Sequence, residues 1–471
     1  MRALKIKLRG LKKPQFERLR DLTHHAKNLY NQTLWTLREA FEATGRYFSY
    51  PQMDKAMKQV TNLEGEVNYR LLKSAVAQQT LRRLDKNFKS FFASHQDFQK
   101  NPGKYKGKPW PPKYKKEKHD NLIYNTCAFQ VKNRVSATKE PRNWTLVFFK
   151  MPNGKVFPMG QFILFEQVVV LEKGLELIVP KQLWDKKIKQ VEVIPKHNSF
   201  QAVFVYEENP DDFEQVKQNN QVMSIDLGLN NLATCVTNGV IEPFIIDGRR
   251  LKSINAYYNK RKAKMQSKLA ERGKKWSRQL QSLTDWRNAA VNDYMHKAAS
   301  YVVKTCVKHG ISKVVVGDVV KSLNQINLGK RSNQNFVNLA LGQFVEKLGY
   351  KLGSHGIKLV VTDESYTSKA SFIDDDKMPR RYKKSAKKRT FSGQRVKRGL
   401  YKSSDGTLLN ADTNGAYNIL RKTDSDFSFS SLAKKVGARL KEWLHPIKRI
   451  RPLPTKKQQF WIDLERRRKV T

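Results

Sequence analysis

The chain has 471 residues, of which 39% are hydrophobic, so it is too long for one core and points to two or three domains. Lys and Arg number 91 against 42 Asp and Glu, a formal charge of +49. That excess repels itself unless a polyanion neutralises it, which points to a nucleic-acid partner with extensive phosphate contact and not merely to a generally basic surface. Cys127, Cys235 and Cys306 are far apart and form no CxxC pair, against a disulfide scaffold or a cysteine zinc site. No segment reads as a membrane span, and the charged MRALKIKLRG start is no signal peptide. The expected location is therefore intracellular: cytoplasmic and nucleoid-associated in a prokaryote, nuclear in a eukaryote.

Residues 2 to 9 alternate, Leu4, Ile6 and Leu8 against Lys5, Lys7 and Arg9, which predicts a half-buried strand. After Pro14, Phe16, Leu19, Leu22, Ala26, Leu29, Leu34, Leu37 and Phe41 predict a helix broken at Thr44-Gly45. Residues 70 to 92 predict another, with Ala77, Leu81, Leu84, Phe88 and Phe91 as its apolar stripe. Ser74, Gln78, Arg82, Lys86 and Lys89 lie beside that stripe. Gln can read adenine and Arg or Lys can hold phosphate, though such a row also serves as an ordinary solvated face. Residues 100 to 118 mix Pro, Gly and Lys with Tyr105, Trp110 and Tyr114, an extended basic segment whose rings can stack on bases.

From 122 to 206 the chain reads as short strands: Leu122–Val131, Trp144–Phe149, Gln161–Phe165, Val168–Leu171, Leu175–Val179, Val191–Ile194 and Phe200–Tyr206. Their spacing predicts a small barrel or curled sheet. An acidic linker, 207–212, sets the main boundary near 210. Val222–Leu227, Leu232–Thr237 and Val240–Ile246 then predict a three-strand meander, with Asn238-Gly239 as a two-residue hairpin turn. Residues 249–280 carry twelve Lys or Arg, Lys260 and Arg261 among them, against one acid, Glu271, and predict a long basic helix. Helix resumes over Trp286–His309. Lys313–Asp318 and Ile357–Glu364 read as buried strands either side of a Phe336–Leu352 helix. A basic tract without acids covers Lys377–Lys402 and includes Arg389. Asn410–Leu420 is a loop entering a helix, and 424–471 is a peripheral tail.

The order from 221, meander, helix, strand, helix, strand, insertion, helix, is that expected of an RNase H-like fold, which gathers functional side chains at strand C-terminal ends. Asp226 lies inside the first apolar strand and Asp412 at the start of the last helix. By itself Asp226 reads equally as a strand-end residue satisfied by turn amides or as a metal ligand. Metal-dependent phosphodiester cleavage needs three or four such carboxylates around two Mg2+ roughly 4 Å apart.

The stretches Ile225-Asp-Leu-Gly-Leu-Asn-Asn-Leu-Ala-Thr, Lys313-Val-Val-Val-Gly-Asp, Glu364-Ser-Tyr-Thr-Ser-Lys and Ala411-Asp-Thr-Asn-Gly-Ala-Tyr-Asn-Ile resemble the RuvC motifs of TnpB proteins, the transposon-encoded relatives of type V CRISPR nucleases. Leu71–Phe92 and the Pro-Pro-Lys-Tyr and Leu-Ile-Tyr-Asn region resemble that family's recognition helices and wedge barrel. The resemblance implies a multidomain α+β protein: a wedge-like β-barrel from 1–10 and 111–210, a helical recognition domain over 11–110, and a RuvC-like domain over 211–423. It implies a guide RNA derived from the transposon end and a double-stranded DNA target opened beside a short adjacent motif. It further implies Mg2+, with Mn2+ able to substitute. Ser74, Gln78, Arg82, Tyr114, Lys260, Arg261 and Arg389 are the candidate nucleic-acid contacts.

Two departures stand out. The family usually has Glu where this chain has Gly317, and Asp318, one step along, faces the other way. Glu364, on the next strand about 4.8 Å further out, resembles the relocated glutamate of some TnpB and Fanzor proteins, which makes Asp226, Glu364 and Asp412 the expected catalytic and Mg2+-binding triad. The other reading has Glu364 capping the loop and pairing with Lys. The second departure is the insertion, 369–408, which lacks the cysteines of the family's zinc ribbon, so no zinc is expected. The rival functions are a guide-bound repressor without nuclease activity and a transposase using Asp226, Asp318 and Glu364.

Overall fold

The computed structural model describes residues 1–138, 162–197, 199–318, 341–379, 390–397, 399–446 and 448–452. Contacts divide the chain into two units, Met1–Asn209 and Pro210–Thr471.

In the first unit the alternating start forms β1 (Arg2–Lys7), with every second residue turned inward. Helix α1 (Lys13–Thr44) buries Leu19, Leu22, Ala26, Leu29, Leu34 and Leu37 and stops at Gly45, whose φ of 65° suits a residue without a Cβ. Phe41, expected on the buried stripe, is 55% exposed, since the last turn of α1 runs past the core. After α2 (Tyr50–Met57), α3 (Ser74–Lys100) buries Ala77, Leu81, Leu84 and Phe88. The strands are β2 (Leu122–Asn125), β3 (Gln130–Thr138), β4 (Phe162–Glu172), β5 (Leu175–Ile178), β6 (Ile188–Lys196) and β7 (Ser199–Tyr206).

Among the described residues they form two antiparallel sheets, β1-β7-β6-β2 and β3-β4-β5. The two strands read at 161–165 and 168–171 are one. Glu166 and Gln167 look like a break between apolar runs, yet they continue β4 by meeting Arg134 and Asn133 across the ladder. The strand expected at Trp144–Phe149 lies outside the described residues.

The second unit is built on a six-stranded sheet. Strands β8 (Val222–Leu227), β9 (Asn231–Thr237) and β10 (Phe244–Asp247) are the antiparallel meander. The β9–β10 connection is longer than a two-residue hairpin. Asn238 spends its side chain on Val222 N and Asn220 O, while Thr237 Oγ1 accepts from Val240 N and Ile241 N, which closes a wider loop and shortens the third strand. The long basic helix is two: α4 (Arg249–Ala270) ends before Gly273 at φ 63°, and α5 (Arg278–Lys308) starts on a Ser277 cap.

Strand β11 (Lys313–Gly317) runs parallel to β8, and β12 (Lys358–Thr362) parallel to β11, with α6 (Leu341–Ser354) between them in the chain. The sheet order is β12-β11-β8-β9-β10, completed by a strand from the C-terminal region. β12 is an edge strand and not the buried one expected; its Val361 is 50% exposed. The insertion forms a ribbon of β13 (Gln394–Lys397), β14 (Leu400–Lys402) and β15 (Leu408–Asn410).

Helix α7 (Ala411–Arg421) is buried along nearly its whole length against β8 and β9. Residues 424–452 are not the peripheral tail expected. Phe427, Leu432 and Trp443 are buried against Phe372 and Tyr417, and β16 (Lys448–Ile450) pairs in parallel with β10. Basicity between isolated apolar residues hides this packing in the sequence. Leu432→Ala should therefore lower unfolding free energy by about 3 kcal/mol, read from denaturant titration, where a peripheral residue would change it by less than about 0.5 kcal/mol.

Candidate active site

Asp226 sits one residue before the end of β8, the strand with neighbours on both sides and both faces covered. Ser224 and Asp226 share the face turned to α7, as a period of two requires. Ser224 Oγ donates to Ala416 O at 2.8 Å, and a Cβ added at Gly415 would lie 2.8 Å from Asp226 Oδ2. Glycine on the helix thus lets the carboxylate approach its backbone. Gly228 makes similar room, because a Cβ there would meet Asn231 O at 2.8 Å.

Asp412 is in the first turn of α7, where helix polarity favours a negative charge. Asn410 caps that turn, its Oδ1 accepting from Asp412 N and Thr413 N. Asn231 Nδ2 donates to Asp412 Oδ2 at 2.6 Å, and Arg395 lies 3.8 Å from Oδ1.

Glu364 stands two residues beyond β12, in the loop that follows Thr362. Gly317 is level with Thr362 across the parallel ladder. The Glu364 carboxyl folds back over Gly317 and occupies the volume that a Cβ would take there. Its Oε1 is buried and has no hydrogen-bond partner. The loop-capping work belongs instead to Asp363, which accepts from Ser365 N at 2.8 Å. Lys422 Nζ likewise goes to Asp363 O and Ser365 O, at 3.0 and 2.6 Å.

The electrostatics follow from enclosure. Burial, then Glu364 and Asp412, push the Asp226 carboxyl well above the usual carboxylate range, with Arg395 opposing. Burial, followed by Asp318 and Asp363, pushes Glu364 up to about 7, with Lys422 opposing. Among the described residues, no three His, Cys, Asp or Glu side chains are grouped closely enough to hold a metal ion as they stand. The donors nevertheless suit a hard cation. They are carboxylate oxygens that repel one another, and one is buried without a proton donor.

The nucleic-acid candidates are scattered by comparison. Ser74 and Arg82 are exposed on α3 and Gln78 is half-buried; Arg82 lies 4.6 Å over the Tyr50 ring. Tyr114 is 40% exposed with Arg38 over its ring at 4.8 Å. Lys260 and Arg261 are exposed on α4, which buries only Leu251, Ile254 and Asn255. Arg389 lies outside the described residues. Sequence reasoning does not single out Asn231, Arg395 or Lys422. Asn231 carries a signal, the paired Asn after Gly228; the other two are single cations in basic surroundings.

The insertion is pinned by hydrogen bonds. Asp376 accepts from Ser371 N at 2.7 Å and from Ser392 Oγ at 2.6 Å, Asp374 from Ser404 N at 3.0 Å, and Asp405 from Thr407 N at 2.9 Å. Tyr401 donates to Lys369 O, and Asn414 and Asn418 both donate to Ala370 O.

Residues 203–323 match the OrfB_IS605 family, described as a probable transposase, and residues 342–419 match the Cas12f1-like TNB domain. A TnpB-like protein of Methanocaldococcus jannaschii is 24% identical over 246 residues, 51% of this chain and 80% of that protein. The chain is thus similar to TnpB-like proteins. A second TnpB-like protein, from Acidianus two-tailed virus, is 27% identical over 214 residues, covering 43% of this chain and 42% of its own length. Among solved structures, a Cas12f1–sgRNA–target DNA complex gives a TM-score of 0.46 at 14% identity, covering 87% of this chain and 83% of its counterpart. C2c1 of Alicyclobacillus acidoterrestris with single-guide RNA gives 0.33 at 10% identity, with 88% and 69% covered. No helix among the described residues is long and apolar enough to cross a membrane.

Proposed function

We propose that this TnpB-like chain is an RNA-guided, Mg2+-dependent DNA endonuclease of a transposable element, cutting double-stranded DNA next to a short adjacent motif. The observation that carries the reading is Glu364. Its carboxyl lies over Gly317, where the resemblance places a glutamate; it holds a buried oxygen without a partner, and its charge helps to raise the Asp226 carboxyl. The strand order, with two parallel strands beside an antiparallel meander, supports an RNase H-like nuclease core. The charge of +49 supports RNA and DNA as partners.

Between them Asp226, Glu364 and Asp412 would hold the two Mg2+ of such a site, with no one ion taking all three as they stand. Bound there, Mg2+ supplies the positive charge that offsets the scissile phosphate and polarises water. Asn231 holds one oxygen of Asp412, and Gly415 admits Asp226 to the helix. Arg395 is placed to accompany a phosphate at this rim. A guide-bound repressor that does not cut is the second reading. The spacing of the carboxylates, too wide for three to share one ion, favours it, as does Arg395 beside Asp412.

The test is purification with the co-purifying RNA, sequencing of that RNA, and incubation with matched target DNA and Mg2+. A defined RNA with a variable end and cleavage of both strands is expected. Guided binding without cleavage would leave the repressor, and random RNA fragments would remove guidance altogether.

We further infer that the insertion folds without zinc. Asp374 and Asp376, each taken up by serine donors, tie together segments of the insertion that are 30 and 16 residues apart, a linking role that needs no cysteine. Zinc content well below one per chain is expected, and a chelator should leave the thermal midpoint unchanged. Stoichiometric zinc, or a fall of several degrees on chelation, would overturn this.

A further inference from the structure

Asp247 closes β10 and is buried, 4% exposed, yet carries a charge. Arg249 satisfies it, its Nε reaching Oδ1 and Oδ2 at 3.0 and 2.9 Å and its backbone N reaching Oδ1 at 2.8 Å. Two further guanidinium groups arrive from the C-terminal region: Arg449 at 3.8 Å, carried by β16, and Arg451 at 4.0 Å. Neither is within hydrogen-bond distance of Asp247. The close contact of Arg449 lies elsewhere, from NH1 to Asn231 Oδ1 at 2.9 Å. Asn231 in turn donates through Nδ2 to Asp412 Oδ2 at 2.6 Å.

We propose that Arg449 is a positioning residue for the candidate metal site, setting the amide of Asn231 so that its N–H faces Asp412. This rests on the reading of Asp412 as a metal ligand. A primary amide can present either its oxygen or its nitrogen to a neighbour, and only the nitrogen can hold a carboxylate. A guanidinium has donors and no acceptor, so Arg449 fixes the oxygen on its own side and the nitrogen on the side of Asp412. Asp247 holds Arg449 in that place by charge, and the parallel pairing of Phe244, Ile245 and Ile246 with Lys448, Arg449 and Ile450 sets its register. With Oδ2 engaged by Asn231, Asp412 keeps Oδ1 toward the rim where Arg395 stands. The C-terminal strand thereby reaches the site through one amide. Outer partners that orient a metal-binding carboxylate commonly change metal affinity by about 10-fold or more.

The test uses the full chain with its RNA and follows bound Mn2+ by electron paramagnetic resonance, with thermal midpoints measured in parallel. Arg449→Gln and Asn231→Ala should each raise the Mn2+ half-saturation by about 10-fold, and Arg449→Lys should recover part of the loss. The double variant should bind no more weakly than Asn231→Ala alone, since both act through one amide. Asn231→Ala leaves the strand pairing untouched, so it keeps the test valid if Arg449→Gln folds poorly. A lowered thermal midpoint with unchanged Mn2+ binding, or fully additive losses, would reduce Arg449 to a strand-edge ion pair and overturn the proposal. Wild-type protein that binds no Mn2+, the behaviour expected of Asp412→Asn, would remove the metal reading and this inference with it.

Discussion

Gly317→Ala should lower the rate of Mg2+-dependent target cleavage by about 100-fold, the order of loss that follows a displacement of about 1 Å in a catalytic group. Gly317 has an ordinary backbone conformation, so alanine meets no torsional penalty there. Its Cβ would instead overlap the carboxyl of Glu364. The backbone of β11 is held on both sides by β8 and β12 and cannot yield easily, so the flexible glutamate side chain moves and the candidate site loses a ligand. Guide and target binding, measured by gel shift, should stay within about threefold of wild type because no backbone contact or surface charge changes. Single-turnover cleavage by Gly317→Ala at the wild-type rate would show that Glu364 has no part in the chemistry.

Glu364→Gln should abolish cleavage and, without metal, stabilise the protein at alkaline pH. The group is pushed from 4.5 up to about 7 in the folded chain, so folding favours its protonated form. The stability linked to that proton is fully present below pH 4.5 and is lost as pH rises through about 7. Glutamine carries no such charge and keeps its stability. The two proteins should therefore match near pH 4.5 and diverge above pH 7, reaching roughly 3 kcal/mol in favour of the variant. Asp226, raised in the same direction, adds to the wild-type loss. Denaturant unfolding in chelator at the two pH limits gives the comparison. Saturating Mg2+ should remove the difference or reverse it, since the cation stabilises only the carboxylate. A gap between the proteins that does not change with pH would place Glu364 in water, away from Asp226.

Much of this site is legible in the sequence, for reasons particular to each residue. Asp226 stands out because a carboxylate within Val222–Leu227 has no cheap place in a covered strand. Asp412 stands out because it opens a helix rich in small and apolar residues. Asn231 does not, because an Asn beside Asn230 after Gly228 reads as turn chemistry. Only the fold shows that one amide meets Lys252 while the other holds Asp412. Trp443 and Leu432 read as part of a loose tail because charge surrounds them; their burial depends on partners more than ten residues away, Phe372 and Tyr417.

Local pattern is enough to establish a strongly basic, multidomain α+β chain, the succession of strands and helices from 221, and two of the three candidate carboxylates. These depend on periodicity and on the cost of charge within apolar runs, both of which act between near neighbours. Tertiary structure decides what distance along the chain conceals: that the side chain of Glu364 fills the space over Gly317, that β12 is an edge, and that β16 joins the sheet to bring Arg449 to Asn231. Each is a contact across strands or between segments far apart in sequence, set by register and by the room that a missing Cβ leaves.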